Sequence, residues 1–130
     1  MVVAILPQSV SLPPAENDLY VVRGDVLEFS MGLVGVPDIA QALSQYRLRI
    51  VFRARQSDTL PDILVSQAAL EAYPGDTFNG AIIDVMAEFN LAPNETQSLP
   101  ARGCVYFIEW TDAIGGSNRR IVQGRVNMGD

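Results

Sequence analysis

Short stretches in which apolar and polar residues alternate, separated by clusters of turn-forming residues, most limit the folds open to this chain. In the stretch "LEFSMGL", Leu27, Phe29, Met31 and Leu33 alternate with smaller or polar residues, which is the period of a strand with one buried face. The segments between such stretches are rich in Gly, Pro, Asn, Asp and Ser, as turns require. The pattern predicts strands near residues 19–23, 26–33, 47–55, 62–67, 80–89, 104–112 and 119–128.

These strands predict one domain preceded by a short segment. About seven short strands with turns between them are typical of an all-β fold, an immunoglobulin-like antiparallel β-sandwich of about seven strands with an extended N-terminal arm. We assign residues 19–130 to the sandwich. Residues 1–18 contain Pro7, Pro13 and Pro14, which favour an extended arm over a packed element.

The same patterns predict two short helices and a core. Residues 38–46 can form one or two helical turns with Asp38 as the N-cap, and residues 92–99 can form another. Large apolar residues on the inward faces of the strands are expected to fill the core. They are Leu27, Phe29, Ile50, Phe52, Ile83, Val85, Ile108 and Trp110.

Composition excludes several kinds of function. The net charge of −6 disfavours nucleic acid, which requires a basic face, and the stretch "VVAIL" is too short to span a membrane. His is absent and Cys104 is the only cysteine, so there is no imidazole base, no His ligand for zinc and no internal disulfide. Cys104 lies in the apolar run "CVYFIEW" and is expected to be a small core residue.

Candidate catalytic and metal-binding residues are few. Asp84, Glu88 and Glu109 lie on predicted strands and could converge as paired carboxylates, although solvent-facing positions explain them more simply. Asp76, Asn79 and Asp84 are near one another but do not match the spacing of a calcium-binding loop. The sequence therefore predicts a protein that is not an enzyme and that needs no cofactor or metal.

The segment "RLRIVFRAR" places basic side chains on one face of a strand. One face carries Leu48, Ile50, Phe52 and Ala54, and the other carries Arg47, Arg49, Val51, Arg53 and Arg55. All nine basic residues of the chain are Arg. The face is either solvated and paired across strands with Asp and Glu, or a contact surface on which guanidinium groups bind carboxylates. The candidate interface residues are Arg47, Arg49, Arg53 and Arg55.

A second candidate contact lies at the start of the chain. "VVAIL" is too short to fold alone, and a β-rich segment of this kind can add to an exposed sheet edge in another chain. Its proposed contact residues are Val2, Val3, Ile5 and Leu6.

Two glycine positions predict local backbone geometry. The tripeptide Arg23-Gly24-Asp25 can bind animal adhesion receptors in an exposed loop or form a corner between strands, and the alternating flanks favour the corner. Gly124, inside the last predicted strand, predicts a β-bulge or a close backbone approach.

Two segments resemble a known family. "VVRGDVLEFSMGL" and "LAPNETQSLPARGCVYFIEW" are similar to segments of the small immunoglobulin-like module of tailed-bacteriophage virions, found at the N-terminus of baseplate upper proteins and of some tail-fibre and head-fibre proteins. The resemblance covers residues 19 to 128. The matching residues of its second half are Leu91, Pro93, Thr96, Leu99, Pro100, Gly103, Tyr106, Glu109 and Gly124.

The resemblance implies a virion protein that assembles in the cytoplasm of a bacterial host. Two departures bear on its role, since "VGVPDIAQALSQY" is longer than the corresponding family segment and no coiled coil or fibre follows the last strand. The expected function is therefore that of a structural accessory protein, a capsid decoration (cement) protein in many copies, with a tail, baseplate or fibre adaptor as the alternative. A carbohydrate-binding or receptor-binding module is a further, weaker alternative.

The expected partners follow from this role. They are other virion proteins, either the major capsid protein or tail and baseplate proteins, bound by a homo-oligomer or a multi-copy assembly. Neither nucleic acid nor a membrane is an expected partner.

Overall fold

Two packed β-sheets form the protein in a computed structural model, which describes residues 2–5, 15–34, 39–56, 59–72, 77–78, 81–82, 84–112 and 118–129. The first sheet has four strands, in the order β1 (Val2–Ile5), β4 (Leu27–Val34), β10 (Val85–Leu91) and β7 (Ala69–Ala72). We call it the BED sheet, because β4, β10 and β7 occupy the places of strands B, E and D in an immunoglobulin domain.

The second sheet, called the GFC sheet here, has six strands. Its order is β2 (Ala15–Glu16), β12 (Asn118–Gly129), β11 (Cys104–Asp112), β5 (Tyr46–Arg53) and β6 (Leu64–Gln67), with β3 (Leu19–Val22) also paired to β12. Both β2 and β3 run parallel to β12, whereas β12, β11, β5 and β6 are antiparallel to their neighbours. The predicted all-β sandwich is therefore confirmed.

Two short helices and a small ladder complete the described elements. Helix α1 (Ile39–Gln45) and helix α2 (Pro93–Gln97) lie where helical turns were predicted. The predicted strand at 80–89 is divided, since β9 (Ala81–Ile82) pairs with β8 (Thr77–Phe78) and β10 begins only at Val85. Asp38, the predicted N-cap, lies outside the described residues.

One core fills the space between the sheets. Of the predicted core residues, Leu27 is partly buried against the core and Ile83 lies outside the described residues; the other six are buried. The core also contains residues that were not predicted, among them Tyr106 and Leu99, which are fully buried. Cys104 is buried as expected, and burial raises the pKa of its thiol to about 11.

The Arg23-Gly24-Asp25 segment is a corner between β3 and β4, as predicted. The Asp25 backbone N–H donates to the Val22 carbonyl oxygen at 3.1 Å, and Gly24 has φ +85°, which is the positive φ that a type II turn requires at its third residue. The Gly24 N–H donates to the Thr96 hydroxyl at 3.1 Å, and this hydroxyl donates to the Asp25 carbonyl oxygen at 2.6 Å. Helix α2 thus holds the corner through one buried side chain.

Close backbone approaches explain two glycines of the resemblance. A Cβ at Gly124 would overlap the Asn17 carbonyl group, so Gly124 is the close approach that the sequence predicted. The bulge lies nearby instead, where Ile121 has no partner in the register between β11 and β12. The Asn17 carbonyl oxygen accepts the hydroxyl of Tyr106 at 2.5 Å. Gly103, with φ +94°, leaves no room for a Cβ against the Val126 carbonyl oxygen, which would lie 2.9 Å away.

The N-terminal strand differs from its expected arrangement. We expected residues 1–18 to form an extended arm and not a packed element, but β1 pairs in parallel with β4, from Val2 opposite Met31 to Ile5 opposite Val34. The opposite side of β4 is occupied by β10, and the remaining edge supplies the backbone partners that a short β-rich segment needs. Leu6 lies outside the described residues. Contact of this segment with a neighbouring subunit stays a prediction.

Two substitutions of Thr96 should lower the free energy of unfolding by different amounts. Thr96→Val removes the hydroxyl and leaves the Gly24 N–H and the Asp25 carbonyl group without this partner, so we expect unfolding to become easier by roughly 1–3 kcal/mol. Thr96→Ser keeps the hydroxyl and loses one methyl group, which costs about 1 kcal/mol. Urea denaturation followed by circular dichroism measures both. An equal loss in the two variants would contradict the role of the hydroxyl.

The raised pKa of Cys104 predicts a loss of stability in alkaline solution. The thiol has a pKa of about 11 when folded and an ordinary value of 9.0 when exposed, so its contribution is complete below pH 9 and is lost as the pH rises toward 11. The unfolding free energy should fall by roughly 2 kcal/mol between about pH 8 and about pH 10.5. The matched variant Cys104→Ala should fall less, and parallel curves for the two proteins would refute the assignment.

Candidate functional site

The outer face of the GFC sheet carries the arginines of β5. Leu48, Ile50 and Phe52 face the core and are buried, so the alternation of the strand turns Arg47, Arg49 and Arg53 outward. The predicted division of this strand into an apolar and a basic face is therefore confirmed for the residues within β5. Arg55 follows the end of the strand and is exposed.

An aromatic ring lies at the centre of this outer face. Phe107 of β11 is only 2% exposed although it points away from the core. The Arg120 guanidinium carbon lies 3.9 Å from the centroid of its ring, and that of Arg53 lies 4.9 Å from it. A cation at this distance is attracted by the quadrupole of the ring, so Phe107 attracts both arginine side chains to this part of the sheet. Val51 beside it is fully buried.

Three of the four predicted interface arginines are also held by polar partners. Arg49 pairs with Glu109, with 3.0 Å between guanidinium nitrogen and carboxylate oxygen, and Arg53 pairs with Asp62 at 2.7 Å. Arg47 donates to the carbonyl oxygens of Ser44 and Tyr46. Pairing with acidic residues across strands was the alternative to a contact surface, and Arg49 forms such a pair with Glu109. It fixes these guanidinium groups in place while leaving them at the surface.

Arg55 belongs to a different arrangement at one end of the face. It lines a groove of about 440 Å³ with Arg125, Glu16, Asp18, Gln56, Gln123, Val105 and Gly124. Neither the Arg55 nor the Arg125 guanidinium forms a hydrogen bond or ion pair with any residue that the structure describes. The groove therefore presents two guanidinium groups whose donors are not used by the described part of the chain.

The acidic residues of the groove are occupied by neutral donors. The Glu16 carboxylate accepts the Gln123 side-chain amide at 2.8 Å, and the Asp18 carboxylate accepts the backbone N–H of Arg125 at 3.0 Å. Gln56 donates to the Tyr106 carbonyl oxygen at 3.2 Å. A smaller depression of about 360 Å³ adjoins the groove through Arg55 and is also lined by Arg102.

The carboxylates considered for catalysis do not converge. Glu109 lies on the GFC sheet and is bound to Arg49, whereas Glu88 is exposed on the BED sheet, opposite Ser30 of β4. Asp76 and Asn79 lie outside the described residues. Among the residues that are described, no group of three or more Asp, Glu or Cys side chains is placed to hold a metal ion. In the same part of the chain, no helix combines the length and hydropathy needed to cross a bilayer.

Sequence reasoning missed three residues of this face. Phe107 was considered only as part of the apolar run "CVYFIEW", and Arg120 and Arg125 were not considered for the interface. Their signal was present in "RRIVQGRV", but the bulge at Ile121 breaks the alternation between them. A pattern read with an unbroken period of two cannot place both on one face.

The stacked arginine predicts a measurable coupling with the ring. In a double-mutant cycle of Arg120→Met and Phe107→Leu, we expect a coupling energy of about 0.5–2 kcal/mol in unfolding experiments, because Met keeps the bulk of the stem and loses the charge. The control cycle replaces Arg125, which lies on the same strand without contacting the ring, with Met. Equal coupling in the two cycles would show that the stacking adds no stability.

Comparison with known proteins adds no relative at the level of sequence. No family model matches the chain, and no curated protein matches it.

Proposed function

We propose that this protein is a structural component of a tailed-phage virion that binds other virion proteins through the outer face of its GFC sheet. The observation that carries the proposal is the concentration of arginines on this face, together with the resemblance of residues 19–128 to the immunoglobulin-like module of phage virion proteins. Binding rather than catalysis is the role that such a surface supports, because Arg is enriched at protein interfaces and forms bidentate bonds with carboxylates.

The fixed geometry of the arginines supports a binding role. Arg49, Arg53 and Arg120 are each held by a carboxylate, an amide or the Phe107 ring before any partner arrives. Ordering a free arginine side chain on binding costs about 0.5–1.5 kcal/mol, and a side chain that is already ordered avoids most of that loss. Several such residues together fix the orientation of the partner even though each exposed charge contributes little alone.

Within this class, we propose a capsid decoration (cement) protein present in many copies. A single sandwich with one basic face suits attachment to a repeated acidic surface, such as that formed by copies of a major capsid protein. The tail, baseplate or fibre adaptor is the second candidate, supported by the same resemblance. Both roles place the protein in the virion after assembly in the host cytoplasm, and neither requires a cofactor.

The other binding classes have less support from the described surface. A carbohydrate-binding module uses a row of exposed aromatic rings, and Tyr20 is the one strongly exposed aromatic residue in the part of the chain described. An adhesion-receptor ligand needs a free arginine at the Arg23-Gly24-Asp25 corner, but the Arg23 guanidinium donates to the Gln97 carbonyl oxygen at 3.1 Å.

The proposed function predicts where the protein is found. In negative-stain images of virions carrying a gold-labelled copy, we expect label distributed over the head; label at one vertex or at the tail tip would select the adaptor role instead. Absence of the protein from purified virions would contradict both roles.

The occupancy of virions by the protein should fall as salt is raised from about 0.1 M to about 1 M, since the screening length drops from roughly 10 Å to 3 Å. Occupancy that does not change with salt would exclude the basic face as the main contact.

A further inference from the structure

We infer that the groove between Arg55 and Arg125 is a binding site for an extended acidic peptide segment of a partner protein. The inference rests on the proposed function for the identity of the partner, and it deepens that function by assigning the contact to one end of the GFC face. Of the four predicted interface arginines, Arg55 lines this groove, together with Arg125 from another strand.

The guanidinium groups of this site differ from those on the rest of the face in their hydrogen-bond partners. The guanidinium groups of Arg47, Arg49 and Arg53 donate to carbonyl and carboxylate groups of their own domain. Arg55 and Arg125 have no such partner among the described residues and line one concave surface. No described residue competes for the donors of Arg55 and Arg125, so they can bind a carboxylate bidentately, whereas the held arginines offer only their remaining donors.

The acidic residues of the groove select the class of ligand. Glu16 and Asp18 place carboxylate acceptors beside the two cations, and they would repel a dense polyanion such as nucleic acid or a polyphosphate. An extended peptide offers side-chain carboxylates to Arg55 and Arg125 and backbone N–H donors to Glu16 and Asp18. Inorganic phosphate offers acceptors with little to donate.

The shape of the groove agrees with a single chain segment. Its volume of about 440 Å³ lies toward the small end of the range for ligand sites, about 300–1,000 Å³, and is enough for a few residues of an extended chain. Val105, half-buried in the sheet, supplies an apolar contact within it, and the side-chain amides of Gln56 and Gln123 add further donors and acceptors.

The test is a titration of the full-length, isotope-labelled protein followed by nuclear magnetic resonance of the arginine Nε–H groups. The probes are the peptide acetyl-Gly-Glu-Gly-Glu-Gly-amide, its Gln counterpart and inorganic phosphate. We expect the Glu peptide to shift the Arg55 and Arg125 signals, and the other two probes to bind at least about ten-fold more weakly. Absence of shifts with the Glu peptide, or equal binding of phosphate, would overturn the inference.

Matched variants distinguish binding at the groove from attraction by the net charge of the protein. Arg55→Gln with Arg125→Gln should weaken binding of the Glu peptide at least about ten-fold. Arg23→Gln with Arg119→Gln removes the same charge from two arginines that lie outside both the groove and the arginine row of β5, and it should leave the affinity within about two-fold. Equal loss in both double variants would mean that net charge, and not this groove, attracts the peptide. Because the titration uses no virions, a negative result leaves the proposed location of the protein on virions intact, and that location is tested separately by labelling.

Discussion

The arrangement of the two sheets depends on the two hydrogen bonds that the Thr96 hydroxyl forms with the corner at Gly24 and Asp25. This hydroxyl accepts the Gly24 N–H and donates to the Asp25 carbonyl oxygen, so a residue of the segment between β10 and β11 fixes the turn between β3 and β4. This turn carries the chain from the GFC sheet to the BED sheet, and the α2 segment carries it back. A single buried group therefore sets both crossings. Loss of the hydroxyl would leave the Gly24 N–H and the Asp25 carbonyl oxygen without this partner, which makes the bond costly to lose.

The strands were predictable because their signal is local. The period of two in β4 and β5, the turn chemistry at Gly24 and the apolar run of β11 each lie within a few neighbouring residues. What could not be predicted is long-range: the pairing of β1 with β4, the hydrogen bond between Asn17 and Tyr106, and the position of Arg55 and Arg125 in one groove. These depend on which elements become neighbours, and residue spacing carries no information about that.

The residues on which the resemblance to the phage module rests make contacts that stabilise the fold. Leu91 and Leu99 fill the core, Thr96 holds the corner, Gly103 makes room for a backbone group, and Tyr106 binds Asn17. The groove arginines take no part in these contacts. Gly124, another of the matching residues, lines the groove, but Arg55 and Arg125 make no side-chain contact of this kind with the described residues, so these two arginines can be replaced while the scaffold keeps its stability. This separation is what makes the paired arginine variants informative.

The two outer faces of the sandwich carry opposite charge. The GFC face and its groove hold six of the nine arginines with four acidic residues, Glu16, Asp18, Asp62 and Glu109. On the BED face, Glu28, Glu71 and Glu88 are exposed, and none of the strands described there contains an arginine. A partner with an acidic surface is attracted by the first face and repelled by the second. An acidic protein can therefore dock on an acidic partner in one orientation, because the sign of the local face, and not the net charge of −6, decides the encounter.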